Sequence, residues 1–202
     1  MNKPVWRTLA GAALAVCLSA CAVSPADYAG TAPKFRLSEF FDGPLVADGV
    51  FQSRSGKVVS RFRVHMLGTW QGHTGTLVEY FTYREDLPRQ DRTWTLTELD
   101  AHTFTGTGTG SAGPIVGTAH GQAHGYALRW DYKVDLPVGD GTVRVHFDDW
   151  MWQVDAGTVI NRSEVTKFGV RVGEATLVIR RLADTPENRA LVATHPVFDA
   201  DG

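Results

Sequence analysis

Between Leu45 and Leu182 polar and apolar residues alternate with a period of two. Val58, Ser60, Phe62, Val64 and Met66 fall on one face of a run whose other face carries Lys57, Val59, Arg61, Arg63 and His65. Tyr126, Leu128, Trp130, Tyr132 and Val134 alternate in the same way with Ala127, Arg129, Asp131, Lys133 and Asp135. Period two places successive side chains on opposite faces of a strand, so these runs predict half-buried β-strands. In TWTLTELDAHTFTGTGT, Thr93, Thr95 and Thr97 oppose Trp94 and Leu96; after an Asp100-Ala101 turn, Thr103, Thr105 and Thr107 oppose Phe104, Gly106 and Gly108. That pattern predicts a hairpin with one wet face.

Turn signals recur at Ser55-Gly56, Glu85-Asp86, Asp100-Ala101, Gly139-Asp140-Gly141 and Ala156-Gly157, giving about nine or ten strands. No long amphipathic helix interrupts them. The expected fold is all-β, a single antiparallel up-and-down barrel of the lipocalin-like, calycin type, with a sandwich as the alternative. Glycines inside strands (Gly106, Gly108, Gly117, Gly121) and a short helical entry at Leu37–Phe41 suit a sheet that bends to close. A barrel spanning the outer membrane would need an apolar outer band, whereas the outer phase here carries Arg61, Arg63, His65, Arg129, Asp131 and Lys133.

The first segment has a different pattern. Lys3 and Arg7 precede an apolar run, Thr8–Cys17, too short to span a bilayer as a mature helix, and LSAC closes it at Cys21. This predicts a lipoprotein signal over residues 1–20, with Cys21 as the lipidated first residue of the mature chain. Two or three acyl chains anchor stably where one is marginal. Ala22, in place of Asp, fits export to the periplasmic face of the outer membrane. The expected organisation is then a linker at 21–36, a barrel at 37–182 and a polar tail at 183–202. Within that tail PENRALVA can form one or two helical turns capped by Thr185.

The remaining cysteine, Cys17, lies in the segment to be removed, so no disulfide is expected in the mature domain and stability must come from an apolar core. Loss of Lys3 and Arg7 leaves 18 basic against 22 acidic side chains, a net charge of −4 that disfavours nucleic acid. His120 and His124 have the spacing of helical zinc ligands, but in a strand that spacing spans about 13 Å; no metal or other cofactor is expected. GTGTG at Gly106–Gly110 precedes no helix and reads as strand, not phosphate loop.

Candidate chemistry centres on VRVHFDDWMWQV, Val143–Val154. Strict alternation puts Asp149 in phase with Val143, Val145 and Phe147, yet the apolar phase moves to Trp150, Trp152 and Val154 after the acids. A bulge at Asp148-Asp149 would turn both tryptophans inward; without one, Asp149 points into the barrel and demands a cation nearby. A two-residue Ala156-Gly157 turn would set Val154 opposite Val159, Asp149 opposite Glu164 with Arg162 diagonal, and Lys167 opposite His146. Glu79 shares a phase with Leu77, Phe81 and Tyr83, and reads equally as an interior carboxylate or, in the other phase, a solvated one.

The motifs FFDGPLVADGVFQ, GTLVEYFTY, FDDWMW and INRSEVTKFGVRVGEATL, in that order behind a lipobox, resemble the domain-of-unknown-function 3833 family of bacterial lipoproteins. The resemblance covers Tyr28 to about Arg181 and implies a lipocalin-like barrel without an established activity. Genes of that family tend to neighbour those for enzymes modifying fatty acyl chains, a hint of ligand class. His124-Gly125 and Gly113-Pro114 depart from the family pattern, which expects Gly-Asn and an acidic residue there.

Three functions remain in order of preference. The first is binding of a hydrophobic small molecule or acyl chain, with Glu79, Trp94, Trp130, Asp149, Trp150, Trp152, Arg162, Glu164 and Lys167 as candidate ligand-binding residues. The second is an envelope scaffold that docks another protein. The third is an enzyme on a lipidic substrate with Asp149 or Glu164 as general base, for which no Ser–His–Asp pattern or cofactor loop is present.

Overall fold

The structure is a computed structural model that describes residues 23–85 and 87–198. The signal segment and Cys21 lie outside the described residues. Ten strands follow in chain order: β1 (Gly43–Ser53), β2 (Val58–Gln71), β3 (Thr74–Tyr83), β4 (Gln90–Glu98), β5 (Thr103–Thr109), β6 (Ala119–His124), β7 (Ala127–Val138), β8 (Gly141–Gln153), β9 (Thr158–Lys167) and β10 (Val170–Arg181). Each pairs antiparallel with its sequence neighbours, and β1 pairs with β10 to close an up-and-down barrel. Closure leaves no unpaired edge.

The period of two sets the interior. Phe62, Val64, Met66, Leu77, Trp94, Leu96, Trp130 and Tyr132 are buried inside, while the threonines of β4 alternate outward. Two interior glycines have a steric rather than a curvature role. A Cβ on Gly121 would run into the Trp130 ring, and one on Gly106 would lie 2.9 Å from its Cζ2. Gly121, directly across from Trp130, and Gly106, one strand further on, form the slot that seats its ring.

One end is plugged by α1 (Leu37–Phe40), with Phe35, Leu37, Phe40 and Phe41 all buried. Trp70 Nε1 donates to the Phe41 carbonyl at 3.3 Å and ties the plug to β2. At the other end lie the 84–89 connection and the β7–β8 hairpin. The C-terminal segment folds back along the outside as α2 (Pro186–Val192), whose N-cap Thr185 accepts from Asn188 N–H. Val192 is fully buried, and the Thr194 carbonyl hydrogen-bonds His65 Nδ1 at 2.8 Å, so this tail is docked on β1 and β2.

Two expectations for β8 are corrected. No bulge occurs at Asp148-Asp149: the β7–β8 and β8–β9 registers run unbroken through both acids. Trp150 and Trp152 therefore face outward, not into the core. They are half-buried because the N-terminal segment covers them. Tyr28, which ends a 3-10 turn at Pro25–Tyr28, packs 6.1 Å from the Trp150 ring, and Trp152 Nε1 donates to its hydroxyl at 3.4 Å. An external apolar cover removes the need for a phase change.

The second correction is the β8–β9 turn. Residues 154–157 connect the strands, with Gly157 N–H donating to the Asp155 side chain at 2.7 Å in an Asx-type turn. Gln153, not Val154, is opposite Val159, so the register moves by one. Asp149 then faces Ser163, Glu164 faces Asp148, and His146 faces Thr166 rather than Lys167.

Candidate ligand cavity

The barrel encloses a cavity of about 700 Å³ that runs from α1 to the 84–89 connection and the β7–β8 hairpin. Its walls are mainly aliphatic and aromatic, because the inward phase of most strands is apolar, with Ser60 of β2 and Asn161 and Ser163 of β9 as uncharged polar exceptions. Glu79 on β3, Arg92 on β4 and Asp149 on β8 interrupt that surface, and among the described lining residues they are its only formally charged groups.

These groups form a broken belt. Trp94 Nε1 donates to Glu79 Oε2 at 3.2 Å, and the Trp94 ring meets the Tyr132 ring edge-on at 5.2 Å. Tyr132 in turn donates its hydroxyl to Asp149 Oδ2 at 3.0 Å. Arg92 packs its guanidinium over the Trp94 and Phe81 rings at 5.7 and 5.9 Å and donates Nη2 to the Ala112 carbonyl at 3.2 Å. It forms no ion pair with either carboxylate, so the charges attract across a gap rather than through contact.

Burial governs their protonation. Removal from water pushes Asp149 from 3.8 up to about 7, against the opposing influence of Ser163, Tyr132 and Arg92. Desolvation also raises Glu79, opposed by Arg92 and by the Trp94 hydrogen bond. Burial holds Tyr132 well above the ordinary phenol value and Tyr83 at about 12, so both phenols remain donors at neutral pH. Asp149 Oδ1, Ser163 Oγ and Arg92 Nε are closed off from water; the Ser163 hydroxyl faces Asp149 and helps to hold its value down, but makes no regular hydrogen bond with it. A buried polar atom left unpaired costs about 1–3 kcal/mol.

Of the residues singled out from sequence, Glu79, Trp94, Trp130 and Asp149 line this cavity. Trp150 and Trp152 do not; they stack on the outer face at 6.0 Å, with Arg129 over Trp150 and bidentate to Asp148. The Asp149–Arg162–Glu164 cluster is also overturned. Arg162 points outward and donates to Glu174 at 2.8 Å, and Glu164 lies 3.9 Å from Arg171 on the same outer face. Lys167 ends β9 beyond the cavity lining, its amino group 5.4 Å from the Phe168 ring centre. Sequence reasoning missed Arg92, whose inward phase was readable from Trp94 and Leu96 two and four residues on. It also missed Ser163, which only the correct β8–β9 register reveals.

Fold and cavity together define a closed ten-stranded up-and-down barrel with an apolar interior and a buried polar belt. The chain belongs to the family described as protein of unknown function (DUF3833), whose model matches residues 15–181. Among solved structures it is similar to Rv2717c from M. tuberculosis, with a TM-score of 0.54 and 11% sequence identity, over 75% of this chain and 99% of that one. At that identity the likeness shows the fold alone. No curated protein matches the chain.

Proposed function

We propose that this protein is a lipid-anchored binding barrel on the periplasmic face of the outer membrane, and that it holds a hydrophobic small molecule or acyl chain. The observation that supports this is the cavity of about 700 Å³, apolar in its walls and interrupted by the incompletely satisfied belt of Glu79, Arg92, Tyr132 and Asp149. That volume lies within the range of sites for small organic ligands, and apolar walls with a few polar groups are how such sites combine affinity with orientation. The anchor rests on the lipobox ending at Cys21.

The test is uptake of an environment-sensitive fluorescent apolar probe. Ala175 lines the cavity. Saturable uptake that Ala175→Trp abolishes, in a variant with unchanged circular dichroism, supports the reading. Equal fluorescence gain in both proteins contradicts it.

A second reading is favoured by one feature. A carboxyl group titrating at about 7 inside a cavity is what general acid–base chemistry at neutral pH requires, so Asp149 is the residue through which an enzyme acting on a lipidic substrate would work. Turnover of a bound acyl ester that Asp149→Asn eliminates while binding persists would establish it.

A further inference from the structure

The end of the barrel opposite α1 carries the 54–57 turn, the 84–89 connection, the β7–β8 hairpin and the β9–β10 turn. Leu87, Pro88 and Val138 line the cavity and are also exposed, so it opens at this end. Each of the four connections presents apolar residues that the fold does not cover: Val58, Leu87, Val138, and Phe168 with Val170. Phe168 is the extreme, 95% exposed at the tip of a two-residue turn across which Lys167 pairs with Val170. Phe168 and Gly169 have φ of 52° and 76°, the positive pair of a type I′ turn, which Asn-Gly satisfies without strain. A phenylalanine in left-handed backbone is unfavourable and here buries nothing in return, so neither the turn nor the core accounts for it.

The charge at this end differs from that of the chain as a whole. On a chain of net charge −2, Arg54, Lys57, Arg89 and Lys167 stand on or beside these connections with no ion pair to a described residue. Of the acids on the same connections, Glu85 is held by Arg61 at 2.8 Å, which leaves Asp86 and Asp140 against the four cations. Apolar side chains interspersed with cations are complementary to a boundary of acyl chains and anionic head groups. The apolar residues stand on separate tips around a mouth, not in one continuous patch, and a fluid surface accepts several such points at once where a rigid protein face needs matching relief.

We infer that this rim docks on an anionic lipid surface, with Phe168 entering the acyl boundary and the four cations meeting the head groups, so that the mouth of the cavity is held against lipid. The inference goes beyond the binding reading above and stands whatever the cavity holds. Pro25–Tyr28 packs against Trp150 and Trp152 near the α1 end, so an anchor on Cys21 and the rim address different surfaces. The contact is shallow and partly electrostatic, hence reversible and sensitive to salt.

The experiment uses residues 22–202, which contain all ten strands, the plug and α2 and so the complete core, floated with vesicles of phosphatidylglycerol or of phosphatidylcholine. Binding to phosphatidylglycerol is expected to exceed binding to phosphatidylcholine at least about tenfold and to fall as salt is raised. Phe168→Asn, which suits the turn, is expected to reduce that binding at least about fivefold while leaving thermal stability unchanged or higher. Lys57→Glu with Lys167→Glu is expected to remove most of the preference for phosphatidylglycerol. Equal partition into the two lipids, or full binding by Phe168→Asn, overturns the inference; absence from both vesicles overturns it and turns the rim toward a protein partner. The fluorescent-probe assay reads the cavity separately, so failure of the rim leaves the binding reading intact.

Discussion

Tyr132 and Asp149 meet inside the barrel from adjacent strands, the phenol donating to Oδ2 at 3.0 Å, and this contact replaces the ion pair that a buried aspartate ordinarily requires. A phenol offers one hydrogen bond and no charge. Asp149 therefore keeps its proton to about pH 7, and the charged form is the costly one.

That cost has a defined pH dependence. The folded chain holds a proton on Asp149 that the unfolded chain releases near 3.8, so stability falls as pH rises from about 4 to about 7 and is then level. A shift of roughly three units corresponds to about 4 kcal/mol. Urea titrations across this range should show a downward slope that Asp149→Asn reduces. Glu79 is raised in the same direction, so adding Glu79→Gln should flatten the curve further. An identical slope in the unaltered and Asp149→Asn proteins would mean that Asp149 ionises freely.

Gly121 supports Trp130 by being small. Gly121→Ala sets a methyl group into the indole ring within a closed wall, and overpacking of this kind costs about 1–3 kcal/mol. Adding Trp130→Leu should recover part of the loss in chemical denaturation. Had the glycine served strand curvature alone, the second change would only destabilise further.

Arg162 and Asp149 occupy opposite faces of the barrel wall, and a double-mutant cycle between them should give no coupling beyond error. The measurable partner of Arg162 is Glu174. Glu174 is 8% exposed, accepts from Arg162 at 2.8 Å and from Arg171 at 3.0 Å, and sits on the outer face. With Arg162 half in water, an Arg162–Glu174 cycle should return about 0.5–1 kcal/mol.

The strand pattern made most of this legible. Alternation in β2, β4 and β7 assigned the inner face residue by residue, and Thr185 marked the start of α2. Failure came where a surface residue was apolar for a reason remote in sequence. Trp150 and Trp152 read as core because Tyr28, more than a hundred positions earlier, was not known to cover them. The residue facing Asp149 on β9 was missed because one Asx-type turn at Asp155 moves the β8–β9 register by one residue, which exchanges Glu164 for Ser163. Arg92 escaped notice because a cation amid threonines reads as solvated, although its phase with Trp94 pointed inward.

Cys21→Ser should release the protein from membranes without unfolding it, because the outer face of the barrel carries Arg61, Arg63, Arg129 and Lys133 rather than an apolar band. Fractionation of the host envelope after a high-salt wash checks this. Persistent membrane association of a folded variant would assign the attachment to something other than lipid on Cys21.

We propose the barrel as a container. Native mass spectrometry of the protein purified from its own host envelope tests it most directly. The expected result is a stoichiometric apolar molecule that is retained by the intact protein and lost from Ala175→Trp. An unoccupied barrel in the unaltered protein, under conditions that preserve non-covalent complexes, would contradict it.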